Sequence, residues 1–393
     1  MVWCHGHPPG LCKRLILWRL CHKENQTILG RGPHGLTGCR ELEAIFSHDQ
    51  GPKFIDQLYY VLEYSLSDIF IFPRVTVTIK VLLRGEVFQI LKQLIEGVYL
   101  VTPDTQPKYP YSNSLYIDDD IPAIIDLGAG GNAFAEIDRQ GVRMALISHS
   151  HFDHIHGDSF FPRARFYVGE EEVDTYNDEE SYHRFHGYDL WSVMMPGIKR
   201  PGYGSVIPLP EDIPVSPGFR KISISGSFKD GDLIQLGRYT LTAIHLPGHT
   251  AGHYGFYIEK EGLLFSGDID LTRAGPWYSN YSANVGDLIA SVEKIREIDP
   301  DILVPSHRRV LTKNIDTDLD KYINILLFRH DKILQLLKQP MSIDELAAQR
   351  LVFPQQQNIY ELFWEKMTVY NHLQHMLKEG LVMEADPGYF QKT

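Results

Sequence analysis

The chain has 393 residues, a formal charge of −12 and 43% hydrophobic residues, enough for two domains and a large core. The acidic balance speaks against a protein that wraps nucleic acid by overall charge and leaves room only for a local basic groove. No run of roughly eighteen uninterrupted apolar residues exists, so neither a spanning helix nor a membrane partner is expected.

Residues 1–84 read as an N-terminal extension, disordered or an over-extended gene start. All four cysteines, Cys4, Cys12, Cys21 and Cys39, lie there. With His5, His7, His22 and His34 they could be grouped as a zinc cluster, but none forms a Cys-x-x-Cys pair. Arg19 interrupts the apolar run Leu15–Trp18, which weakens a signal peptide. The basic start fits an organellar transit peptide somewhat better, and a cytoplasmic location is the default expectation. Residues 1–83 carry +2 and residues 322–393 carry −1, so the −12 of the whole chain leaves −13 on the segment between them. Its run Glu170, Glu171, Glu172 reads as a solvated face.

The body begins near Gly85. Strands are expected at Val87–Leu91, Gly97–Thr102, Ser114–Ile117 and Ala123–Asp126, the last leading into Leu-Gly-Ala-Gly-Gly, a tight turn rather than a dinucleotide loop. Met144–Ile147 is an apolar strand, directly followed by His149-Ser150-His151-Phe152-Asp153-His154, which puts four potential metal ligands within six residues. In extended backbone His149, His151 and Asp153 share a side; a turn starting near Asp153 would swing His154 towards a second, adjacent point. Arg165–Val168 is the next strand. Pro196–Gly218, with six prolines and four glycines, is a long loop, a lid or an oligomer contact, in which Tyr188, Trp191 and Tyr203 at or near its start are candidates to wall a substrate. Strands return at Tyr239–Leu246, Tyr254–Ile258 and Leu263–Ser266, and from Asn284 apolar residues recur at helical spacing. His249 in Leu-Pro-Gly-His-Thr-Ala-Gly-His, Asp268 in Leu-Phe-Ser-Gly-Asp and His307 in Leu-Val-Pro-Ser-His each follow a short strand-like run, so ligands on loops at one end of a sheet can converge.

These motifs, in this order, resemble the metallo-beta-lactamase superfamily over roughly Phe88–Leu311. The resemblance implies an αββα sandwich, an α+β fold. It places His149, His151 and His249 on one metal, Asp153, His154 and His307 on another, and Asp268 between them. A carboxylate can bridge in this way because it has two oxygens, whereas an imidazole nitrogen holds one ion. The resemblance also sets Asp126 beneath the site as an orienting carboxylate. The implied cofactors are two divalent ions, zinc first, with iron or manganese acceptable to the same donors. Asp268 stands where true lactamases often carry Cys, which favours a general hydrolase over an antibiotic-cleaving one.

Beyond a helix over 318–338, Ser342 can cap Ile343–Arg350, Tyr360–Lys378 is a second helix, and Leu381–Ala385 with Tyr389–Phe390 forms a hairpin. That order resembles the winged-helix domain of one branch of the superfamily, which includes lactamase-like endoribonucleases and polyketide-pathway thioesterases. The domains expected are therefore an extension over 1–84, a catalytic domain over 85–321 and a small winged-helix domain over 322–393. Between Tyr360 and Lys378 only Lys366 and Lys378 are basic, so packing or cleft formation is favoured over reading a groove.

The expected activity is hydrolysis of a small ester, thioester or lactone by a hydroxide shared between the metals. Cleavage of RNA or another phosphodiester is the alternative. Asp153 and His253 are the catalytic candidates; His253 either touches substrate or orients a neighbour. Arg273, Tyr278 and Tyr281, which follow Asp268, are candidates for holding a substrate anion. A small acyl compound is the expected partner, with homo-oligomerisation left open.

Overall fold

A computed structural model describes residues 58–64, 77–83 and 90–393, and the chain divides into two units, Met1–Val87 and Phe88–Thr393. In the first, β1 (Leu58–Tyr64) and β2 (Val77–Leu83) pair antiparallel from Leu58↔Leu83 to Tyr64↔Val77. The cysteines, the postulated zinc cluster and the leader lie outside the described residues.

The second unit is built on two sheets. The seven-stranded one runs in chain order through β3 (Leu91–Ile95), β4 (Val98–Val101), β5 (Ser114–Ile117), β6 (Ala123–Ile125), β7 (Met144–Leu146), β8 (Arg165–Gly169) and β9 (Ile224–Phe228). Pairing is antiparallel from β3 to β6 and parallel from β6 to β9. The five-stranded sheet has β10 (Leu233–Gln235), β11 (Thr240–His245), β12 (Tyr254–Ile258), β13 (Leu263–Gly267) and β14 (Ile302–Pro305), with β13 and β14 parallel. Central strands such as Ala123–Ile125 and Leu263–Gly267 are buried at every position, so they appear in the sequence as continuous runs rather than alternating ones.

Between the sheets Ile117, Ile125 and Leu146 meet Leu241, Phe256 and Phe265. Phe134, Phe161 and Tyr176 cover the outer face of the larger sheet. Helices α1 (Gly131–Phe134), α2 (Phe152–Ile155) and α3 (Val173–Asn177) lie there, and α4 (Glu179–His186) and α5 (Trp191–Met194) follow, with Trp191 and Met194 packed against Tyr360 and Phe363. On the other outer face lie α6 (Val285–Ile298), whose N-cap Asn284 accepts from the Asp287 N–H, and α7 (Ile315–Leu336). Val285, Leu288, Val292 and Ile295 bury one stripe of α6, as the spacing predicts. The layering is the αββα sandwich expected.

After α7 come β15 (Met341–Ser342), α8 (Ile343–Ala347), α9 (Ile359–Lys378) and the hairpin β16 (Val382–Asp386) and β17 (Tyr389–Lys392), in the sheet order β15-β17-β16. Ser342 closes a capping box with Glu345, so the predicted helix, helix, hairpin order is present. The boundary placed at 321/322 needs correction: it falls inside α7, a single helix whose Leu319, Tyr322 and Leu326 pack on the sandwich while Ile333 packs in the core of the tail. A helix spanning two cores leaves no linker at which to divide them. Among the described residues the first strand of the body is Leu91–Ile95, held by the Leu91↔Val101 register; most of the strand expected at Val87–Leu91 lies outside them. Pro196–Gly218 is irregular apart from one turn at Tyr203–Ser205, while α3, α4 and α5 just before it were not anticipated.

Candidate metal centre

The seven candidate ligands lie beyond the C-terminal ends of β7, β11, β13 and β14, where loops from one edge of each sheet converge. His149 and His151 leave β7 in extended backbone. His151 is the N-cap of α2, with φ −67° and ψ 149°, so the helix starts one residue before Asp153 and turns both Asp153 and His154 towards the second group.

Three imidazole nitrogens form a near-equilateral triangle: His149 Nε2 to His151 Nδ1 is 2.9 Å, His151 Nδ1 to His249 Nε2 is 2.9 Å and His249 Nε2 to His149 Nε2 is 3.1 Å. A tetrahedral ion with ligand bonds of about 2.0 Å needs nitrogen spacings of roughly 3.3 Å, so a small inward-pointing gap accepts one. Two groups of donors converge, His149, His151, His249 and Asp268 in one and Asp153, His154 and His307 in the other. Asp268 faces both. Its Oδ2 lies 3.4 Å from His249 Nε2 and 3.9 Å from His149 Nε2, and its Oδ1 lies 3.1 Å from His154 Nε2 and 3.3 Å from His307 Nε2. His154 Nε2 and Asp268 Oδ1 are buried without a hydrogen-bond partner. Buried polar atoms are rarely left so, and a cation between them would satisfy both.

The far nitrogens are occupied. Asp126, in a left-handed backbone conformation with φ 56°, accepts from the Ser148 N–H and O–H and bonds His154 Nδ1, each at 2.7 Å. His249 Nδ1 bonds the Trp277 carbonyl at 2.7 Å, and His307 Nδ1 the Pro107 carbonyl at 3.2 Å. Burial and neighbouring imidazoles hold His149 and His151 well below the usual histidine range, so both are neutral and free to ligate. At His154 burial pulls downward, yet the Asp268, Asp126 and Asp153 carboxylates outweigh it and push the ring up to about 10. Burial likewise opposes ionisation of Asp268, but His307, His154 and His249 hold it well below the carboxylate range. The cluster therefore attracts positive charge, as a cation site must.

The other candidates separate by their contacts. His253 is fully buried; its Nδ1 bonds the Leu246 carbonyl and its Nε2 accepts the Asp268 N–H at 2.9 Å. Of the two roles left open for it, only orienting a neighbour fits, because neither nitrogen is free to meet a substrate. Gly267, at φ +55°, has no room for a Cβ, which would lie 2.4 Å from His253 Nε2. Tyr278 is 1% exposed and bonds His372, so it is not a substrate contact: its hydroxyl points into the tail's packing. Tyr281 is 45% exposed and stacks on Tyr370. Arg273 lines a cleft of about 210 Å³ with Arg308 and Lys321, a cleft to which no candidate ligand contributes. Trp191 is buried and donates to the Ile198 carbonyl, and so is also removed from the substrate wall.

Reading the Glu170–Glu172 run as solvated is wrong at its third member. Glu172 is 1% exposed and accepts from Ser150 N–H, Thr250 O–H and Gly252 N–H, tying together the two loops that carry His149, His151 and His249. Its position at the end of β8, on the ligand edge of the sheet, was the available signal. Trp277, in contact with both His151 and His249 rings, and Asn280, which donates to the His249 carbonyl, were also missed; they follow Asp268 in a segment without periodicity.

The sequence model of the metallo-beta-lactamase superfamily matches residues 109–307. A beta-lactamase-like protein 2 homolog of Caenorhabditis elegans is 28% identical over 32% of this chain and 40% of its own length. The acyl-coenzyme A thioesterase MBLAC2 of Gallus gallus is 28% identical over 39% of this chain and 51% of its own. A hydroxyacylglutathione hydrolase of Francisella tularensis is 31% identical over 31% of this chain and 49% of its own. The chain thus spans about half the length of these curated relatives or less. Among solved structures, a metallo-beta-lactamase family protein of Thermus thermophilus shares the fold with a TM-score of 0.61 at 21% identity, covering 77% of this chain and all of its own. With its αββα layers and its His and Asp cluster at the strand ends, the chain belongs to the metallo-beta-lactamase superfamily.

Proposed function

We propose that the chain is a binuclear metal-dependent hydrolase of a small ester, thioester or lactone. The observation that carries this is Asp268, with one oxygen turned to each half of the ligand cluster. In this reading His149, His151 and His249 hold one ion, Asp153, His154 and His307 the other, and Asp268 both. The donor set suits zinc and would accept iron or manganese. Bound divalent ions supply an acidified water and a Lewis acid for the acyl carbonyl.

The chain's own residues place these parts. Asp126 fixes the His154 tautomer and His253 fixes the Asp268 backbone. Asp153 turns Oδ2 to His307 at 3.3 Å, and its carboxylate would orient the attacking water. Trp277 and Asn280 clamp His249 from the open side. The thioesterase and hydroxyacylglutathione hydrolase among the relatives support an acyl substrate, as does the body's charge of −13. The winged-helix resemblance of the tail suits packing here: on α9, Lys366 is 6% exposed and is bonded to the Met194 carbonyl and to Asp344, so it offers nothing to a phosphate.

Metal analysis of the purified protein is expected to give close to two ions per chain, with Asp268→Ala losing at least one and nearly all activity. In a panel of thioesters, lactones, phosphodiesters and single-stranded RNA, turnover should fall on the acyl compounds and change little with moderate salt, because no polyanion is held. Fully active metal-free protein would refute the metal reading. RNA cleavage abolished by His151→Ala, with no acyl turnover, would replace the substrate reading.

A further inference from the structure

Several partly exposed aromatic side chains beside the ligand cluster form a closed circuit of ring contacts. His151 meets Trp277 edge-on at 5.1 Å, Trp277 meets Trp364 at 5.8 Å, Trp364 meets Tyr203 at 5.5 Å, and Tyr203 meets Tyr109 at 5.7 Å. Tyr109 then meets Phe152, the residue after His151, at 6.3 Å. Phe152, Tyr203, Trp277 and Trp364 are each partly exposed and Tyr109 is 39% exposed, whereas Trp191, Tyr360 and Phe363 behind them are buried. The members come from the loop before β5, the start of α2, the long Pro-rich loop, the segment after Asp268, and α9.

Large aromatic faces left partly in water beside a convergent polar cluster are the makings of a small-molecule site. No charged side chain belongs to the circuit, so it offers an anionic headgroup no partner and an apolar group the partly exposed faces of its rings. Because the circuit begins and ends at the ligand segment His151-Phe152, its occupant is the group joined to the scissile carbonyl. Trp364 is the member contributed by the tail, and its indole sits between Trp277 and Tyr203, closing the side that the sandwich leaves open.

We propose that this aromatic collar is the acyl-binding subsite, that it selects a bulky apolar acyl group, either an aromatic ring or a long unbranched chain, and that Trp364 sets the size accepted. The inference rests on the acyl-hydrolase reading above. Each methylene buried in such a site is worth a factor of roughly four in affinity, so the selection is readable as a ratio.

The test uses the full-length, metal-loaded protein and thioesters of one common thiol with acetyl, hexanoyl, decanoyl and benzoyl groups. The wild type should favour decanoyl or benzoyl over acetyl by at least tenfold in kcat/KM, and Trp364→Ala should lose most of that ratio, chiefly through KM. Tyr203→Ala, which alters the collar from the Pro-rich loop and leaves the sequence of α9 unchanged, should lower the same ratio; metal content and the unfolding midpoint serve as fold controls. In parallel, a non-hydrolysable decanoyl thioether should quench tryptophan fluorescence of the wild type and bind at least tenfold more weakly to Tyr203→Ala. A flat acyl-length profile in the wild type, or an unchanged one in both folded variants, overturns the collar while leaving the hydrolase reading intact. Absence of all acyl turnover together with tight thioether binding would overturn the hydrolase reading and keep the collar.

Discussion

Replacing Glu172 by Gln tests whether the loops of the candidate ligands are held by a carboxylate that lies outside the donor cluster. Oε2 accepts the Ser150 N–H at 2.7 Å, and Oε1 accepts the Gly252 N–H at 3.2 Å and the Thr250 hydroxyl. Glutamine keeps the volume but turns one oxygen into a donor, so at least one backbone N–H, which cannot rotate away, faces another N–H. Leaving one buried donor unsatisfied costs about 1–3 kcal/mol, and a bond to a charged acceptor about 1.5–3 kcal/mol. Burial, opposed by those same bonds, holds the Glu172 carboxyl above the usual carboxylate range, so desolvation offsets part of their contribution. A net loss of about 2 kcal/mol is expected. Ser150 sits between His149 and His151, and Thr250 follows His249, so metal affinity should fall by roughly 10–100-fold, as for other orienting partners. Denaturant unfolding and metal titration with a competing chelator measure the two effects. A stability change within about 0.5 kcal/mol, the range of an ordinary surface substitution, with unaltered metal affinity would refute the argument.

Two further outcomes are expected. His253→Leu leaves the Asp268 N–H without its acceptor and should destabilise the fold by about 1–3 kcal/mol and lower metal content although His253 is no ligand; full metal in a stable variant would show the bond to be dispensable. His372, buried against Tyr278, His330, His375 and Arg329, is held well below the usual histidine range by burial first and by the neighbouring imidazoles and guanidinium second. A depressed histidine contributes stability that is complete above its unfolded pKa of about 6.5 and is lost as pH falls towards its folded value, by up to roughly 1.4 kcal/mol per pH unit. The drop in unfolding free energy from pH 7.5 to 5.5 should therefore be smaller in His372→Asn than in the wild type by about 1 kcal/mol, and equal drops would count against this.

The convergence of the seven candidate ligands was legible because metal chemistry restricts residue type and because each follows a buried strand whose apolar run marks its end. Asp126 was legible for the same reason, at the end of Ala123–Ile125. The tail's elements announced themselves through Ser342 and the periodicity of α9. Residues that act by hydrogen bonding from irregular segments were not legible. Glu172 looks like any member of an acidic run until β8 is seen to end beside Ser150, and nothing in the composition of Trp277–Asn280 distinguishes a clamp on His249 from a surface loop. Tyr278 and Trp191 were misplaced for the converse reason: an aromatic near a site in sequence can pack inward or outward, and only the tertiary partners decide.

The tail and the site are joined through that same segment. On α9, Asn371 donates to the Tyr278 and Asn280 carbonyls, Thr368 pairs with Ser279, His372 with Tyr278 and Trp364 with Trp277. From its other side the segment holds His249, through the Trp277 carbonyl and the Asn280 amide. Four consecutive residues thus have one set of partners in the tail and another at a candidate ligand, with no slack between them, since Tyr278, Ser279 and Asn280 are all about 1% exposed. A helix that met the body only through its apolar stripe could slide by small amounts without consequence. One that bonds the carbonyls of Tyr278 and Asn280 and the hydroxyl of Ser279 between them fixes register as well as distance. Of the packing or cleft-forming roles favoured for this helix because it offers so few basic residues, these contacts are packing ones: α9 bonds the segment that holds His249.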